Sequence, residues 1–534
     1  MKNRTLPFAI AAALATATAA FPHEGGDSGA RLGTVHFAVE CNAAAQKAID
    51  VAMAYYHSFA WEQYKLPLER ALQADPQCGM AHFIRALGVL DNPFAWPLNL
   101  SPKIFAEGEA SLEAARKTGL RSERERAYVD ALDAFYKDND KLAHATRAKA
   151  LEQAFEKLAA RYPDDIEATI LYALVLSRNF DPTDKTYGNQ LRAAHILEPI
   201  FVKMPDHPGV AHYIIHSYDY PPLALQGLEA ARRYSKIAPD AAHALHMPSH
   251  IFTRVGYWKD SVESNRASIE AARKVGPNSI HGSDYMTYAY LQMGQDKEAA
   301  RVWGEVLKGS TYPDAFNAAY GLAAMPARIA LERRAWREAA ALPMAPAGYP
   351  WAKHPQAEAV NAYARGIGLA RTLDVAGARG EVKRLQQLRD AALAMKSGYW
   401  AEQIDIQAEV VRGLAACAEG SRDECVEILA KAAAREDATE KHVVTPGPLV
   451  PAREVLASVQ LDAGMGSAAL ADYEMVLARE PNRFHATYGA ARSAQLAGDH
   501  ARASEYYRRL LELAGESDPV RPEVGVARRY LATR

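Results

Sequence analysis

The stretches LDAGMGSAALADYEMVLAREPNRF (461–484) and LAGDHARASEYYRRLLELAGESD (496–518) decide the fold. Gly464, Ala469 and Tyr473 of the first stretch each recur as the same residue type 34 residues later in the second. In both stretches a glycine turn separates two segments with helical apolar periodicity. A fixed period of this length predicts stacked helix–turn–helix units, because one such unit is too small to bury its apolar face alone.

The composition agrees with a helical chain. At 534 residues the chain is too long for one compact core, and 49% of its residues are hydrophobic. Alanine is abundant, whereas strong runs of Val, Ile and Thr are scarce. We therefore predict an all-α fold, an α-solenoid of helix–turn–helix repeats over about residues 35–530.

The irregular stretches suggest where the solenoid is divided. We expect an N-terminal helical array at 21–341, an irregular proline-rich linker at 342–355 and a C-terminal array at 356–534. The two regular repeats lie near 451–515. A second irregular stretch, HVVTPGPLVP, occupies 442–451.

The N-terminal stretch MKNRTLPFAIAAALATATAA (1–20) has the features of a signal peptide. Lys2 and Arg4 precede a short apolar run, and small residues permit cleavage near Ala19–Ala20. The run is shorter than the roughly 20 residues that span a bilayer, so we predict export without a transmembrane anchor. The periplasm is the simplest destination if the source is a Gram-negative bacterium.

Charge and motifs exclude several function classes. The chain has 62 Lys and Arg against 64 Asp and Glu, a net charge of −2, so no general attraction to nucleic acid or anionic lipid is expected. Glycine-rich phosphate loops, the Gly-x-Ser-x-Gly elbow and the dinucleotide fingerprint are missing from the sequence.

The four cysteines suit an exported protein. Cys41, Cys78, Cys417 and Cys425 allow three pairings, and none has Cys-x-x-Cys spacing. We favour Cys41 with Cys78, between neighbouring helices, and Cys417 with Cys425, across a hairpin turn. The alternative is that they are ordinary buried thiols.

The C-terminal repeats resemble the tetratricopeptide repeat (TPR) family. The wider chain resembles a group of exported bacterial TPR proteins, on the stretches DPQCGMAHF (75–83), HPGVAHYIIHSYDYPPLA (207–224), IAPDAAHALHMPSHIF (237–252), TEKHVVTPGPLVPARE (439–454) and EPNRFHATYGAARSA (480–494). This resemblance implies an exported helical-repeat protein with a concave ligand groove. It implies no particular reaction.

Two histidine pairs share the repeat spacing. His212 and His216 lie four residues apart, and so do His246 and His250; each member of the second pair follows its counterpart by 34 residues. An i, i+4 pair lies on one helical face. We therefore expect all four imidazoles on one wall of the groove, on helices about 10 Å apart.

The wall is predicted to extend into a third unit. If Gly256 is aligned with Gly294, then His243 corresponds to His281. Asp219 lies one turn beyond His216 and adds a carboxylate to the same face. In this register His246 corresponds to Asp284 and His250 to Tyr288. Pro248 is predicted to kink the helix between His246 and His250; alternatively, it starts a helix there.

Three interpretations of this face remain open. In the first, the histidines are buried and hydrogen-bonded to the backbone, or lie on a solvated face. In the second they bind a metal, and in the third they form a metal-free polar pocket for a peptide or small molecule, with hydrogen-bonding and acid–base roles. Imidazole ligates zinc, copper and iron, and Met247 adds a possible soft ligand. The His-Glu-x-x-His motif of zinc hydrolases does not occur.

We assign the residues accordingly. The predicted metal ligands are His212, His216, His246 and His250, and the predicted ligand-binding residues are His243, His281, Asp284, Tyr288, Asp219, His442 and Arg453. His442 and Arg453 enter this set only if the solenoid curls round; otherwise residues 436–454 form a structural linker in which Arg453 and Glu454 pair locally.

The function predicted is an exported repeat protein that binds a ligand, partner or metal ion in its groove through the histidines. The bound molecule could be a protein, a peptide or a small molecule, and the possible metal is a divalent zinc, copper or iron ion. The alternative is a metal-dependent enzyme that uses the same histidines, Asp219, Asp284 or Tyr288. A third possibility is assembly, with the convex or terminal helices recruiting a partner.

Overall fold

A computed structural model describes residues 29–275, 280–515, 517–518 and 521–533. The predicted signal peptide, residues 1–20, lies outside the described residues. Throughout the described part of the chain the regular structure is helical, and no β-strand occurs there. The predicted all-α fold class is confirmed.

The helices follow one another with short connections. In chain order they are α1 Ala43–His57, α2 Lys65–Ala74, α3 Gly79–Gly88, α4 Pro102–Thr118, α5 Glu123–Tyr136, α6 His144–Arg161, α7 Ile166–Arg178, α8 Gly188–Lys203, α9 Pro208–Tyr218, α10 Leu228–Ile237, α11 Ala242–His246, α12 Pro248–Arg254, α13 Trp258–Val275, α14 Ile280–Gln292, α15 Asp296–Leu307, α16 Phe316–Glu332, α17 Trp336–Ala340, α18 Pro355–Arg371, α19 Val375–Ala394, α20 Gly398–Ala418, α21 Arg422–Asp437, α22 Ala452–Asp462, α23 Gly466–Arg479, α24 Phe484–Leu496, α25 His500–Leu513 and α26 Pro522–Ala532. Three short 3₁₀ helices lie at Pro93–Ala95, Ala224–Gly227 and Trp351–Lys353.

The helices stack as hairpins. Most helices pack on the next helix along the chain, and alternate helices also touch one another, as in α7–α9, α14–α16 and α22–α24. Gly464 and Gly498 form the predicted turns, both at φ +80°, a conformation that glycine adopts without a Cβ penalty. This arrangement is an α-solenoid.

The apolar core is nearly continuous along the solenoid. One cluster of buried side chains runs from Leu32 to Phe252 and the next from Trp258 to Val459. The helices on either side of the predicted linker at 342–355 pack directly on one another, α16 and α17 against α18. Among the described helices, none is long and apolar enough to cross a membrane.

Residues 439–451, which we name the inner segment, pack against the central helices of the solenoid. Tyr285 of α14 donates to the Thr445 carbonyl at 3.1 Å. The fully buried Arg328 of α16 donates to the Gly447 carbonyl at 3.0 Å. The segment therefore supplies hydrogen bonds to buried side chains of the central helices, which an ordinary linker does not.

The C-terminal helices also return to the middle of the chain. Trp258 Nε1 at the start of α13 donates to the Asn482 carbonyl at 2.9 Å, and Arg521 pairs with Asp296 at 2.5 Å. These contacts join the C-terminal part of the chain to the starts of α13 and α15.

The two disulfides have the favoured pairing, Cys41–Cys78 and Cys417–Cys425. They close segments with sequence separations of 37 and 8 residues. In the chain-entropy model, a longer closed loop removes more freedom from the unfolded chain.

We expect the Cys41→Ser/Cys78→Ser variant to lose more unfolding free energy than Cys417→Ser/Cys425→Ser, by about 1 kcal/mol. Guanidinium unfolding of the oxidised wild type and both variants measures the difference. Equal losses, or a larger loss in the second variant, would contradict the entropic account.

Candidate metal centre

Six histidines converge in two groups of three. The first triad consists of His212 and His216 of α9 with His243 of α11; the second consists of His246 of α11, His250 of α12 and His281 of α14. Within each triad, one ligand nitrogen from every ring lies within 4.8 Å of those of the other two. The four histidines predicted to share one face do lie near one another, but they fall into two groups and are buried rather than lining an open groove.

The first triad depends on how α9 begins. The His207 ring caps the helix by accepting a hydrogen bond from Val210 N, and Pro208 takes the first helical position. From this start, His212 and His216 lie one turn apart, and their Nε2 atoms are 3.1 Å apart. His243 Nε2 lies 3.1 Å from His212 Nε2, so three nitrogens meet at His212.

The second triad depends on the junction between α11 and α12. Pro248 occupies the first position of α12, and Met247 between the two helices keeps helical torsions (φ −53°, ψ −36°). The predicted kink within one helix is therefore a division into two short helices, as in the alternative. His246 ends the first helix and His250 lies in the first turn of the second, with their Nε2 atoms 3.0 Å apart.

The outer nitrogen of His212 is held by a helix end. His212 Nδ1 donates to the carbonyl of His57, the last residue of α1, at 2.7 Å. The last carbonyls of a helix have no partner within the helix, so this bond satisfies one of them. It also fixes the proton on Nδ1, which leaves the Nε2 lone pair pointing into the triad.

The outer nitrogens of the second triad are held by side chains. His246 Nδ1 lies 2.6 Å from Asn265 Oδ1, which accepts because the Asn265 amide nitrogen donates to Ser261 O. His250 Nδ1 donates to the carboxylate of Asp219 at 2.9 Å. Both rings therefore carry their proton on Nδ1, and two Nε2 lone pairs face each other at 3.0 Å. Such a contact is repulsive until a cation lies between the nitrogens.

Burial keeps the imidazoles neutral. His212 is fully buried, and His216, His246 and His250 are 2–5% exposed. Burial, followed by the neighbouring His250, lowers the pKa of His246 to about 3. Burial is also the largest cause of the lowered pKa of each of the other five, although for His250 the hydrogen bond to Asp219 opposes it. Neutral imidazole is the form that ligates metal ions.

Asp219 is balanced by two cations. Its carboxylate accepts from Arg254 Nε at 2.8 Å and lies 3.5 Å from Lys441 Nζ of the inner segment. Burial, followed by the nearby Arg254, lowers the pKa of Lys441 to about 8. The predicted residue Asp219 thus contacts the outer nitrogen of His250, Nδ1. It does not contact the Nε2 atom that faces the other histidines.

In the third unit the structure differs from the predicted register. His281 and Tyr285, one turn apart on α14, lie beside His246 and His250; the Tyr285 hydroxyl is 3.3 Å from His250 Nδ1. Asp284 pairs instead with Arg328 at 2.8 Å. The cause is the length of α14. Between the histidines and its turn glycine, Gly294, α14 is about one turn longer than α12 is before Gly256.

Tyr288 likewise lies away from the histidines. Its hydroxyl donates to Glu480 at 2.8 Å and accepts from Arg483 at 3.1 Å, which ties α14 to the C-terminal helices. Asp284 and Tyr288 therefore lie on the α14 face that holds the inner segment and the C-terminal array.

Two further predicted residues also lie outside the triads. The His442 ring packs among Phe316, Tyr399 and Trp400, with its Nδ1 accepting from the Val444 amide. Arg453 pairs with Asp437 and Asp472. Glu454 does not pair with Arg453; it binds Arg483 at 2.6 Å.

A third group, His57, Glu167 and His207, serves as an internal comparison. Both rings donate from Nε2 to the Glu167 carboxylate, at 3.0 and 2.9 Å. The other nitrogen of each ring accepts, from the Tyr213 hydroxyl and the Val210 amide. All four ring nitrogens are used, so the group is a satisfied structural network in the core.

We expect Glu167→Ala to lower the unfolding free energy by about 3–5 kcal/mol, because two buried imidazole N–H groups lose their acceptor. Denaturant unfolding measures the loss. The control is Glu123→Ala, which breaks an exposed pair with Arg161 and is expected to cost less than about 1 kcal/mol. Equal costs for the two variants would show that the buried network is not structural.

The sequence did not indicate several of the residues that position the triads. Asn265 and the His57 carbonyl come from other helices, and Lys441 is distant in sequence. Of these neighbouring residues, Tyr285 could have been predicted from the sequence, because it lies four residues after His281 and so on the same helical face.

Comparisons with known proteins identify no relative from sequence. No family model and no curated protein matches the chain. Among solved structures, the human IFIT1 dimer with m7Gppp-AAAA is 13% identical with a TM-score of 0.37, over 81% of this chain and 90% of that one. The TPR domain of P58(IPK) is 10% identical with a TM-score of 0.21, over 92% and 98%. At these values, nothing about ligand or activity transfers to this chain.

Proposed function

We propose that this chain is an exported helical-repeat protein that binds transition-metal ions through its two histidine triads. Export is supported by the signal-like N-terminal stretch, 1–20, and by two disulfides, which are typical of oxidising compartments. The solenoid acts as a rigid scaffold that carries ligands on the successive helices α9, α11–α12 and α14.

One observation carries the proposal. In the second triad, His246 and His250 place two unprotonated Nε2 atoms 3.0 Å apart, while Asn265 and Asp219 hold the opposite nitrogens. Metal–nitrogen bonds of about 2.0–2.1 Å place ligand nitrogens about 3.3–3.6 Å apart, so the contact needs to open by only a few tenths of an ångström. A second shell that orients each ring is the usual support of a metal-ligating histidine.

Burial favours an ion over a larger ligand. A peptide contacts exposed side chains, whereas four of these six rings are at most 5% exposed. The comparison with His57, Glu167 and His207 argues against a purely structural role, since there every ring nitrogen has a hydrogen-bond partner. The imidazole donors suit zinc, copper or iron.

Elemental analysis of the protein purified from an exporting host tests the proposal. We expect stoichiometric metal in the wild type and its loss from His212→Ala/His246→Ala, which removes the central nitrogen of each triad. The matched control is His195→Ala on α8, an exposed histidine outside both triads, which retains the metal. A wild type that is metal-free and binds no zinc, copper or iron on titration would refute the proposal.

The Asn265→Ala variant tests the second shell. Without the Asn265 acceptor, His246 loses its fixed orientation, and we expect metal affinity of the second triad to fall about ten- to a hundredfold. The first triad keeps its own anchor at the His57 carbonyl and serves as the internal control. Competition with a chromophoric chelator measures both affinities; unchanged binding at the second triad would contradict the assigned role of Asn265.

A further inference from the structure

The two triads are successive copies of one arrangement. Each takes an i, i+4 pair from one unit and a third histidine from further along the chain: His243 follows the pair His212/His216, and His281 follows the pair His246/His250. In each triad the first histidine of the pair has its Nδ1 anchored from a separate helix. The second triad therefore repeats the first in the next unit of the solenoid.

The rings group by triad rather than around a common centre. Within the triads, ring centroids are 4.6–4.9 Å apart for the pairs that share His212 or His246, and 5.9 Å apart for His250 and His281. Between the triads, the nearest centroids are 6.1 Å apart for His216 and His250, and 6.0 Å for His243 and His246. The ligand nitrogens make the division, since they lie within 4.8 Å of one another in each group of three. The six rings therefore form two neighbouring three-nitrogen groups rather than one six-ligand group.

We propose that the protein holds two copper ions in the cuprous state, one on each histidine triad. This inference rests on the proposed function and specifies the ion, its number and its position. The two ions occupy adjacent sites across the contact between the triads, with His216 and His243 on one side and His250 and His246 on the other.

The charge balance favours monovalent ions. Both triads consist of neutral imidazoles, and the carboxylate that contacts them, Asp219, is already paired with Arg254 and Lys441. Two divalent ions would bring four positive charges into a buried site without a carboxylate ligand, whereas two cuprous ions bring two. Desolvating an uncompensated charge is costly, so the lower charge is favoured.

The donor set favours copper as well. Imidazole nitrogens suit copper, and cuprous ions are stable with three such ligands. Structural zinc is almost always four-coordinate, and catalytic zinc with three protein ligands adds water as the fourth. A buried group of three imidazoles therefore lacks the fourth protein ligand of a structural zinc site. Calcium and magnesium require oxygen ligands, which neither triad supplies.

The test is an anaerobic titration of the metal-free full-length protein with Cu(I), supplied as its bicinchoninate complex, beside a titration with Zn(II). We expect two equivalents of Cu(I) in the wild type and one in each of His216→Ala and His281→Ala. His195→Ala retains two. Circular dichroism and thermal unfolding show whether each variant is folded.

The outcomes separate this inference from the proposed function. One Cu(I) per wild-type chain, or loss of both from one folded variant, overturns the two-site assignment but leaves metal binding intact. Zn(II) binding without Cu(I) binding overturns only the choice of copper and leaves metal binding intact. If neither Cu(I) nor Zn(II) binds, this inference is overturned, and the proposed function is overturned as well if iron also fails to bind.

X-ray absorption spectroscopy of the copper-loaded wild type gives a test that requires no variant. We expect an edge characteristic of Cu(I) and a first shell of three imidazole nitrogens per copper. A shell containing sulfur, or one with four or more nitrogens, overturns the assignment.

Discussion

The stacking of α9, α11–α12 and α14 side by side is the constraint on which the rest of the site depends. A hairpin of this size cannot bury its own apolar face, so each unit packs on the next, and equivalent positions meet across the interface. An i, i+4 histidine pair repeated at the period of the units therefore produces two facing pairs. Without this stacking, the six imidazoles would be scattered along the chain from His212 to His281.

Buried polar groups need partners, and this requirement explains the difference between the histidine groups. His57 and His207 satisfy all of their ring nitrogens through Glu167, Tyr213 and Val210. In the triads, hydrogen bonds hold the outer nitrogens of three rings and turn their lone pairs inward. In the proposed function, the bound ion is the partner of these inward lone pairs.

The inner segment explains why the site is enclosed. Asp284 holds Arg328, which in turn binds the carbonyls of Gly447 and Pro448. The segment then places Lys441 beside Asp219. On α14, His281 faces the histidines, and Tyr285 contacts both His250 and the inner segment. Asp284 holds Arg328, and Tyr288 contacts the C-terminal helices.

The sequence predicted the parts of this structure that follow from local periodicity. The helical class, the glycine turns and the pairing of His212/His216 with His246/His250 depend on spacing alone. The register predicted for the third unit differs from the structure, because α14 is longer than α12 and aligning the turn glycines shifts its residues by about one turn. Asn265, the His57 carbonyl and Lys441 could not be predicted, since contacts between distant helices leave no local pattern in one sequence.

Anomalous diffraction from crystals loaded with metal tests the central claim most directly. Data collected at the metal absorption edge are expected to show a peak in each triad, within about 2 Å of three imidazole nitrogens. Peaks confined to surface histidines such as His195, or no peak at either triad in fully loaded crystals, would contradict the account.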